Sequence, residues 1–293
     1  MNKYLIFRTD RIGDFLVSAI LIKAIKKNDP KSHITIISSK KNYAYIKKIP
    51  FVDNVIELKN NFFGKMDVIF QLFKFKFKNI IIHDDKNRSK FISTFLRYEN
   101  KILIEEQDKF KHIQIIKDIL KRMNFLFFED SLNILDYKSK KKQSNKNYIQ
   151  IHFDEKWIHK NYINNYVNIE PSESEFINFL DCIANKRNAK LIVTTGLKSP
   201  LLLSNLTSTL ASMNIKLYVG MSFHELEDIT LTSNTLISCH GAISHVASAN
   251  EIKQIDIIDK SYDYSRWTNH FRNYNFLYRE NFNILSKKII DKI

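Results

Sequence analysis

Two short segments of the 293-residue chain combine chemically active residue types with a change of backbone direction. The first is Arg8-Thr9-Asp10-Arg11-Ile12-Gly13-Asp14. It follows the apolar run Tyr4 to Phe7, which reads as a buried strand, and leads into apolar residues at helical spacing from Phe15 to Ile25. Gly13 allows close backbone approach, and the helix that follows turns its N-terminal amides toward the strand end. Asp14 falls in the first helical turn. A carboxylate there can take a proton from a hydroxyl, or it can do no more than complement the helix dipole. The second segment is Leu236-Ile237-Ser238-Cys239-His240-Gly241-Ala242-Ile243-Ser244-His245-Val246-Ala247-Ser248-Ala249. A strand runs into Gly241 and a helix of small residues starts there. Amides from Gly241 through Ala242 to Ser244 would form an anion site, with Ser244 and His245 as side-chain donors and diphosphate as the natural occupant. A tight strand-to-helix turn with a capping role, beside a surface histidine at His240, describes the same residues without a ligand.

Alternating strands and helices must carry these segments. In the first half the strand candidates are Tyr4–Phe7, Ile34–Ile37, Asn54–Leu58, Asn79–His83 and Ile102–Ile104, separated by helical patterns near Lys65–Phe75, Asn87–Leu96 and His112–Met123. The pattern restarts at Tyr148–His152 and continues through strands at Lys190–Thr194, Lys216–Val219, Thr235–Cys239 and Gln254–Ile258. Helices are expected at Ser172–Lys186, opened by a Ser172-x-x-Glu175 box, at Pro200–Met213, after a Ser222-x-x-Glu225 box, at Ala242–Asn250 and at Asn283–Ile293. Continuous apolar strands with intervening helices predict parallel sheets covered on both faces. The expected fold is therefore α/β: two doubly wound Rossmann-like domains facing across a cleft, residues 1–140 and 148–293. A polar, basic linker occupies 138–147, and the last helix has the option of packing back on the first domain.

Composition narrows the function classes. Hydrophobic residues make up 44% and charged residues 26%, which is globular rather than disordered. The net charge of +15 favours anionic partners, although a bias toward Lys, Asn and Ile accounts for it equally. Lys outnumbers Arg, which argues against nucleic acid, where forked Arg contacts are the usual readers. The two cysteines, Cys182 and Cys239, form no metal-ligand spacing and fit a reduced compartment. The N-terminus becomes charged too early for a signal peptide, and no apolar run approaches the ~20 residues of a membrane span. A cytoplasmic protein, meeting membrane only peripherally at its inner face, is expected.

Together the two segments resemble glycosyltransferase family 9, the heptosyltransferase group, which has the GT-B fold. YLIFRTDRIGDFLVSAILIKAIKKNDP looks like that family's opening strand, R-x-x-G-D and helix. MSFHELEDITLTSNTLISCHGAISHVASA, from Met221, resembles its donor-site helix–strand–helix. IQIHFDEKW and IVTTG are similar to its first two strands of the second domain. The resemblance implies an inverting, metal-independent transfer from a nucleoside-diphosphate sugar, ADP-linked by preference and carrying heptose or a related sugar. The acceptor is a lipopolysaccharide or other phosphorylated, lipid-linked glycan. It implies Asp14 as general base, Lys156 on donor phosphate or sugar, Gly241 to His245 as the diphosphate cradle, Met221 near the nucleotide, and Thr195 and Gly196, at the end of the second strand, and His240 as further donor-binding residues. No cofactor and no metal ligand are implied. The chain departs from the family where an acidic residue, Thr or Ser, and Gly are usual and His240, Gly241 and Ala242 stand. It also departs after Gly196, where an expected acidic residue is replaced by Leu197, Lys198 and Ser199.

Acceptor contacts are expected in the first half, from Arg11, Gly13 and Arg88; for Arg88, Lys90 and Arg97 a wet helix face is the competing description. Asp84-Asp85 reads as a strand-end acidic turn rather than a metal pair. Phe73, Phe75 and Phe77 alternate with Lys74, Lys76 and Lys78, either as a membrane-touching edge or as a half-buried element end. Trp157, Tyr162 and Tyr166 could stack on base or sugar, or pack in the core; Trp267 is given no role, although the family closes its donor site there. Two other classes compete. One is a binding protein on a decayed GT-B fold, motivated by His240; the other is an RNA-binding protein driven by charge alone, with no motif to support it.

Overall fold

A computed structural model describes residues 1–104, 110–139, 148–187 and 189–293. Its chain divides into two compact units: Met1–Tyr137 with Ser265–His270, and Lys138–Tyr264 with Phe271–Ile293. Residues 140–147, most of the expected linker, lie outside the described residues.

The first unit runs β1 (Lys3–Phe7), α1 (Ile12–Asn28), β2 (His33–Ser38), α2 (Tyr43–Ile46), β3 (Asn54–Glu57), α3 (Phe62–Leu72), β4 (Lys76–Ile82), α4 (Asn87–Ser93), β5 (Arg97–Leu103) and α5 (His112–Arg122). A 3-10 turn at Glu129–Leu132 and α6 (Asp136–Ser139) follow. The five strands are parallel in the order β3-β2-β1-β4-β5. β1 is central, and its Tyr4, Leu5, Ile6 and Phe7 are all fully buried, as a strand covered on both faces demands. Helix α1 is apolar nearly all round, and every residue from Phe15 to Ile22 is buried. It packs against α5.

The second unit runs β6 (Tyr148–His152), α7 (Glu173–Arg187), β7 (Lys190–Thr194), α8 (Leu201–Asn205), α9 (Thr207–Ser212), β8 (Lys216–Tyr218), α10 (Phe223–Thr230), β9 (Ser233–Cys239), α11 (Ala242–Ala249) and β10 (Lys253–Ile258). After the short α12 (Ser265–Thr268), which belongs to the first unit, β11 (Tyr274–Tyr278) and α13 (Phe282–Lys292) complete the second. Its six parallel strands are ordered β11-β10-β9-β6-β7-β8. Both expected capping boxes form: Glu175 accepts from the Ser172 amide at 2.8 Å, and Glu225 from the Ser222 amide at 2.8 Å. Helix α13 inserts Phe282, Leu285 and Ile289 into the core of this second unit, beside Phe179 of α7.

In each sheet the strand order reverses beside the first strand: between β1 and β4 in the first unit, between β6 and β9 in the second. Connections leave such a pair in opposite directions, so a crevice opens at its carboxyl ends, where ligands of doubly wound sheets sit. The loops there are Arg8–Arg11 and His83–Lys86 in one unit, and Phe153–Trp157 and His240–Gly241 in the other.

Candidate functional site

At the first switch point Arg8 emerges from β1 fully buried. Its Nε donates to the Asp14 carbonyl at 3.0 Å and a guanidinium NH to the His83 carbonyl, while its own carbonyl accepts from Asn42 at 2.9 Å. The guanidinium lies 3.7 Å from the Asp14 carboxylate and 3.6 Å from Asp10. Asp14 also accepts from the Arg11 amide at 2.9 Å, capping α1. Dipole complement and candidate base are thus the same arrangement: the cap fixes one carboxylate oxygen, and the side chain stays half-buried at the mouth of a cavity.

That cavity, of about 680 Å³, is lined wholly by the first unit. Seven cations (Arg11, Lys40, Lys41, Lys59, Lys86, Arg88 and Arg266) outnumber four carboxylates (Asp10, Asp14, Glu57 and Asp84) around it. Gly13 sits beside Asp14 at the start of α1. Arg88 donates to Asn60 at 2.6 Å and to the Thr9 hydroxyl at 2.7 Å, so its guanidinium is held at the rim rather than on a wet helix face. Asp84 accepts from the Thr9 hydroxyl, from Ser89 at 2.9 Å and from the Lys86 amide at 3.3 Å; Asp85, at φ 47°, pairs with Lys90 at 2.5 Å. The acidic pair therefore ties β4 to α4. Arg97 does not join the rim; it begins β5. Trp267, given no role from the sequence, and Arg266 line the same cavity as Asp14, and the Trp267 ring lies 3.9 Å from the buried His112 ring. Burial, reinforced by Arg8 and Arg266, pulls His112 down to about 3 and holds it neutral.

At the second switch point Lys156, in the loop after β6, meets Gly241, after β9. A Cβ at Gly241 would lie 2.9 Å from the Lys156 Nζ, so only glycine leaves the ammonium its place. Lys156 pairs with the buried Asp154 carboxylate at 2.5 Å. Burial alone would lower the ammonium's pKa; the charge and hydrogen bond of Asp154 outweigh it and hold it above the ordinary lysine value. The loop is braced by the buried Arg279, just past β11, which donates to the Lys156 carbonyl at 2.9 Å and to Val167 at 3.1 Å and covers the Tyr166 ring.

Helix α11 begins at Ala242 with its first turn at this loop. Ser244 is fully buried: its hydroxyl donates to Asp256 at 3.0 Å and accepts the Gly241 amide at 3.3 Å. The expected cradle is therefore narrower than four free amides and a serine hydroxyl. Ser244 builds the turn, and the orphan donors of the first turn are those of Ala242 and Ile243. His245 is buried, with its ring 4.9 Å from Phe271. His240 directs Nδ1 to Asp256 at 2.6 Å. Since a carboxylate only accepts, Nδ1 carries the proton and Nε2 is left for another partner. Asp256 also accepts from Tyr274 at 3.2 Å. No motif marks Asp256. Its signal is the period-two pattern of Gln254 and Asp256 within the apolar strand β10, two polar side chains on one face beneath α11.

Thr195 and Gly196 follow β7 at the same carboxyl edge. Thr195 is buried, with its hydroxyl donating to the Gly196 carbonyl at 2.9 Å, and Gly196 lies near the Glu155 carboxylate. Met221 follows β8 and Gly220, half-buried ahead of α10. Trp157 is core: it stacks on Phe153 at 5.0 Å and donates to the His152 carbonyl at 2.9 Å. Among the described residues no cluster of three or more His, Cys, Asp or Glu could hold a metal ion.

The E. coli heptosyltransferase WaaC, solved with ADP, superposes with a TM-score of 0.74 over 99% of this chain and 100% of its own, at 9% identity. The chain has the heptosyltransferase fold, GT-B. A family 9 glycosyl transferase from Veillonella parvula superposes at 0.66, covering 99% of this chain and 91% of its own at 13% identity. The UDP-GlcNAc 2-epimerase of Methanocaldococcus jannaschii does so at 0.62, covering 100% and 92% at 12% identity. GT-B thus carries more than one chemistry on nucleotide sugars, and the reaction has to be argued from the site. No protein-family profile and no curated protein matches the sequence.

Proposed function

We propose that this protein is a cytoplasmic, inverting glycosyltransferase that moves a heptose or related sugar from a nucleoside-diphosphate donor, ADP-linked by preference, to a phosphorylated surface-glycan acceptor. The observation that supports it most is the meeting of Lys156 with Gly241 at the start of α11, on the crevice where such sheets bind ligands. A diphosphate there gains a helix N-terminus and a lysine that its ion pair keeps charged. As the bond to the anomeric carbon breaks, the leaving diphosphate gains negative charge, and both groups stabilise it without reorganising. His240, fixed by Asp256, offers Nε2 to a phosphate oxygen or a sugar hydroxyl.

The acceptor reading rests on the cavity at Asp14. Its cationic excess suits phosphate groups on the acceptor, with Arg11 and Arg88 at the rim and the Gly13 backbone beside them. The acceptor hydroxyl gives its proton to Asp14 as its oxygen attacks the anomeric carbon, on the face opposite the leaving group. Arg8 is a positioning residue: it holds the first turn of α1 through the Asp14 carbonyl, with its guanidinium 3.7 Å from the carboxylate.

The test is nucleoside-diphosphate release from a panel of donors in the presence of delipidated, phosphorylated glycan. Asp14→Asn keeps the cap acceptor and removes the base, and should lower transfer by about 10²–10⁴-fold while donor affinity is retained. Full activity in a folded Asp14→Asn protein removes Asp14 from the mechanism. His240 favours one second reading, a nucleotide-sugar binding protein without transfer. That reading predicts donor affinity, no release, and indifference to Asp14.

A further inference from the structure

Helix α3 is apolar on two faces. Val68, Ile69 and Leu72 enter the core of the first unit. On the other side Phe62, Phe63, Phe70 and Phe73 recur at helical spacing, and Phe63, Phe70 and Phe73 are 79%, 65% and 52% exposed. The neighbouring α4 adds Phe91, and the turn after it Phe95, 41% and 54% exposed. Two adjoining helices and the turns that end them thus present six phenylalanines to solvent, paired edge-on as Phe62–Phe63, Phe70–Phe73 and Phe91–Phe95. A contiguous exposed apolar patch of this kind marks an interaction surface.

Its surroundings identify the partner. Lys65 lies over the Phe91 ring at 5.9 Å, and the exposed Lys74 directly follows Phe73. Aromatic rings on a helix face flanked by lysines are the composition that settles into the headgroup region of an anionic bilayer. A second copy of this chain fits poorly, because it would bring the same lysines together at a net charge of +15 per molecule. The same helices also reach the cavity: Lys59 and Asn60 immediately precede α3, and Lys86 and Arg88 open α4.

We propose that the α3–α4 face is a membrane-docking surface that sets its phenylalanines into an anionic leaflet and its lysines among the headgroups. The docking stands on this surface alone. That the cavity is thereby presented to a lipid-borne acceptor rests on the transferase reading. Of the alternation at Phe73, Phe75 and Phe77 only Phe73 belongs to this surface: Phe75 is partly buried against the core of the first unit and Phe77 is buried in β4.

The experiment is co-sedimentation of the full chain with vesicles of phosphatidylcholine alone or mixed with phosphatidylglycerol. Three proteins are compared: the native sequence, F63S/F70S/F73S and K65Q/K74Q. These positions are exposed or half-buried, and unchanged melting temperatures establish that the variants are folded. The native protein should bind the mixed vesicles and bind the neutral ones weakly. The triple serine variant should lose about tenfold or more in partitioning, and the double glutamine variant about fivefold per charge removed at low salt. Vesicle binding that ignores lipid charge, a triple variant that binds like the native protein, or a patch that only dimerises the protein overturns the proposal. Docking with no transfer to any acceptor supports this surface and counts against the transferase reading. Transfer to a soluble acceptor with no vesicle binding does the reverse.

Discussion

Removing the Lys156 ammonium should destabilise the second unit more than any loss of surface charge would. Asp154 is 3% exposed, and its nearest cation is the Nζ at 2.5 Å. In Lys156→Met the carboxylate keeps the backbone amide of residue 156 at 3.1 Å and the His152 ring at 3.6 Å, which does not replace a full positive charge. A buried charge left without its partner costs about 3–5 kcal/mol. Asp154→Asn combined with Lys156→Met removes both charges and should recover more than half of that loss. The coupling in the double-mutant cycle is then about 2 kcal/mol or more. Burial would raise the Asp154 pKa, but the charge of Lys156 and the hydrogen bonds from that residue hold it below its usual value. A depressed carboxylate contributes stability that is present above its unfolded pKa and lost as pH falls through the folded one. In Lys156→Met the direction reverses, so the deficit against the native protein should shrink below about pH 5. The assay is urea unfolding followed by tryptophan fluorescence. Only two tryptophans exist, one in each unit, so Trp267→Phe leaves Trp157 to report the second unit alone. A Lys156→Met protein within about 1 kcal/mol of native, or a double variant no better than the single one, would refute the account of this pair.

Other expectations follow from the same geometry. Burial, modified by neighbouring charges, pulls His112 to about 3 and His152 to about 4, while both take up a proton near 6.5 when unfolded. Between those values the unfolded state binds more protons, so stability falls on acidification by about 1.4 kcal/mol per pH unit for each histidine. His152→Gln should flatten that slope in urea titrations between pH 6.5 and 4.5, and an unchanged slope argues against a neutral buried ring. Ser244→Ala leaves the Gly241 amide without its partner and Asp256 Oδ1 with only the longer bond from Ser238 at 3.4 Å, and should cost about 1–3 kcal/mol. In equilibrium titration it should also loosen nucleotide binding, through a distorted turn rather than a lost contact. Gly241→Ala should be worse for nucleotide affinity than for stability, because its methyl displaces the Lys156 head.

Most of the fold was legible because central strands are buried on both faces and write continuous apolar runs. Tyr4–Phe7 and Asn79–His83 are of this kind, and each stops where the site begins. Edge strands were harder. β5 starts at Arg97 rather than Ile102, and its Arg97, Tyr98 and Glu99 are exposed, so no apolar face announces them. β11, also an edge, went unmarked. The helical stretch from Pro200 to Met213 breaks into two at Leu206, although its spacing is continuous. Helix α3 begins at Phe62 instead of Lys65, since Asn61 caps it by accepting from the Gly64 amide at 2.7 Å. At the site, the Asp14 and Gly241 segments were visible because a strand end, a glycine and a helix start are local features. Arg8, Asp256, Arg266 and Arg279 were not, for their roles depend on partners far away in the chain. The carboxylate that engages the Ser244 hydroxyl lies in the next element, β10, and was not legible from the turn itself.

The central claim is that the crevice at Lys156 and Gly241 receives the diphosphate of a nucleotide sugar, and thermal shift against ADP-, GDP-, UDP- and CMP-linked sugars tests it most directly. A site of that kind should raise the melting temperature for one nucleotide class, in proportion to the logarithm of its concentration, and Gly241→Ala should abolish the effect. Indifference to every nucleotide, or stabilisation that survives unchanged in Gly241→Ala, would contradict it.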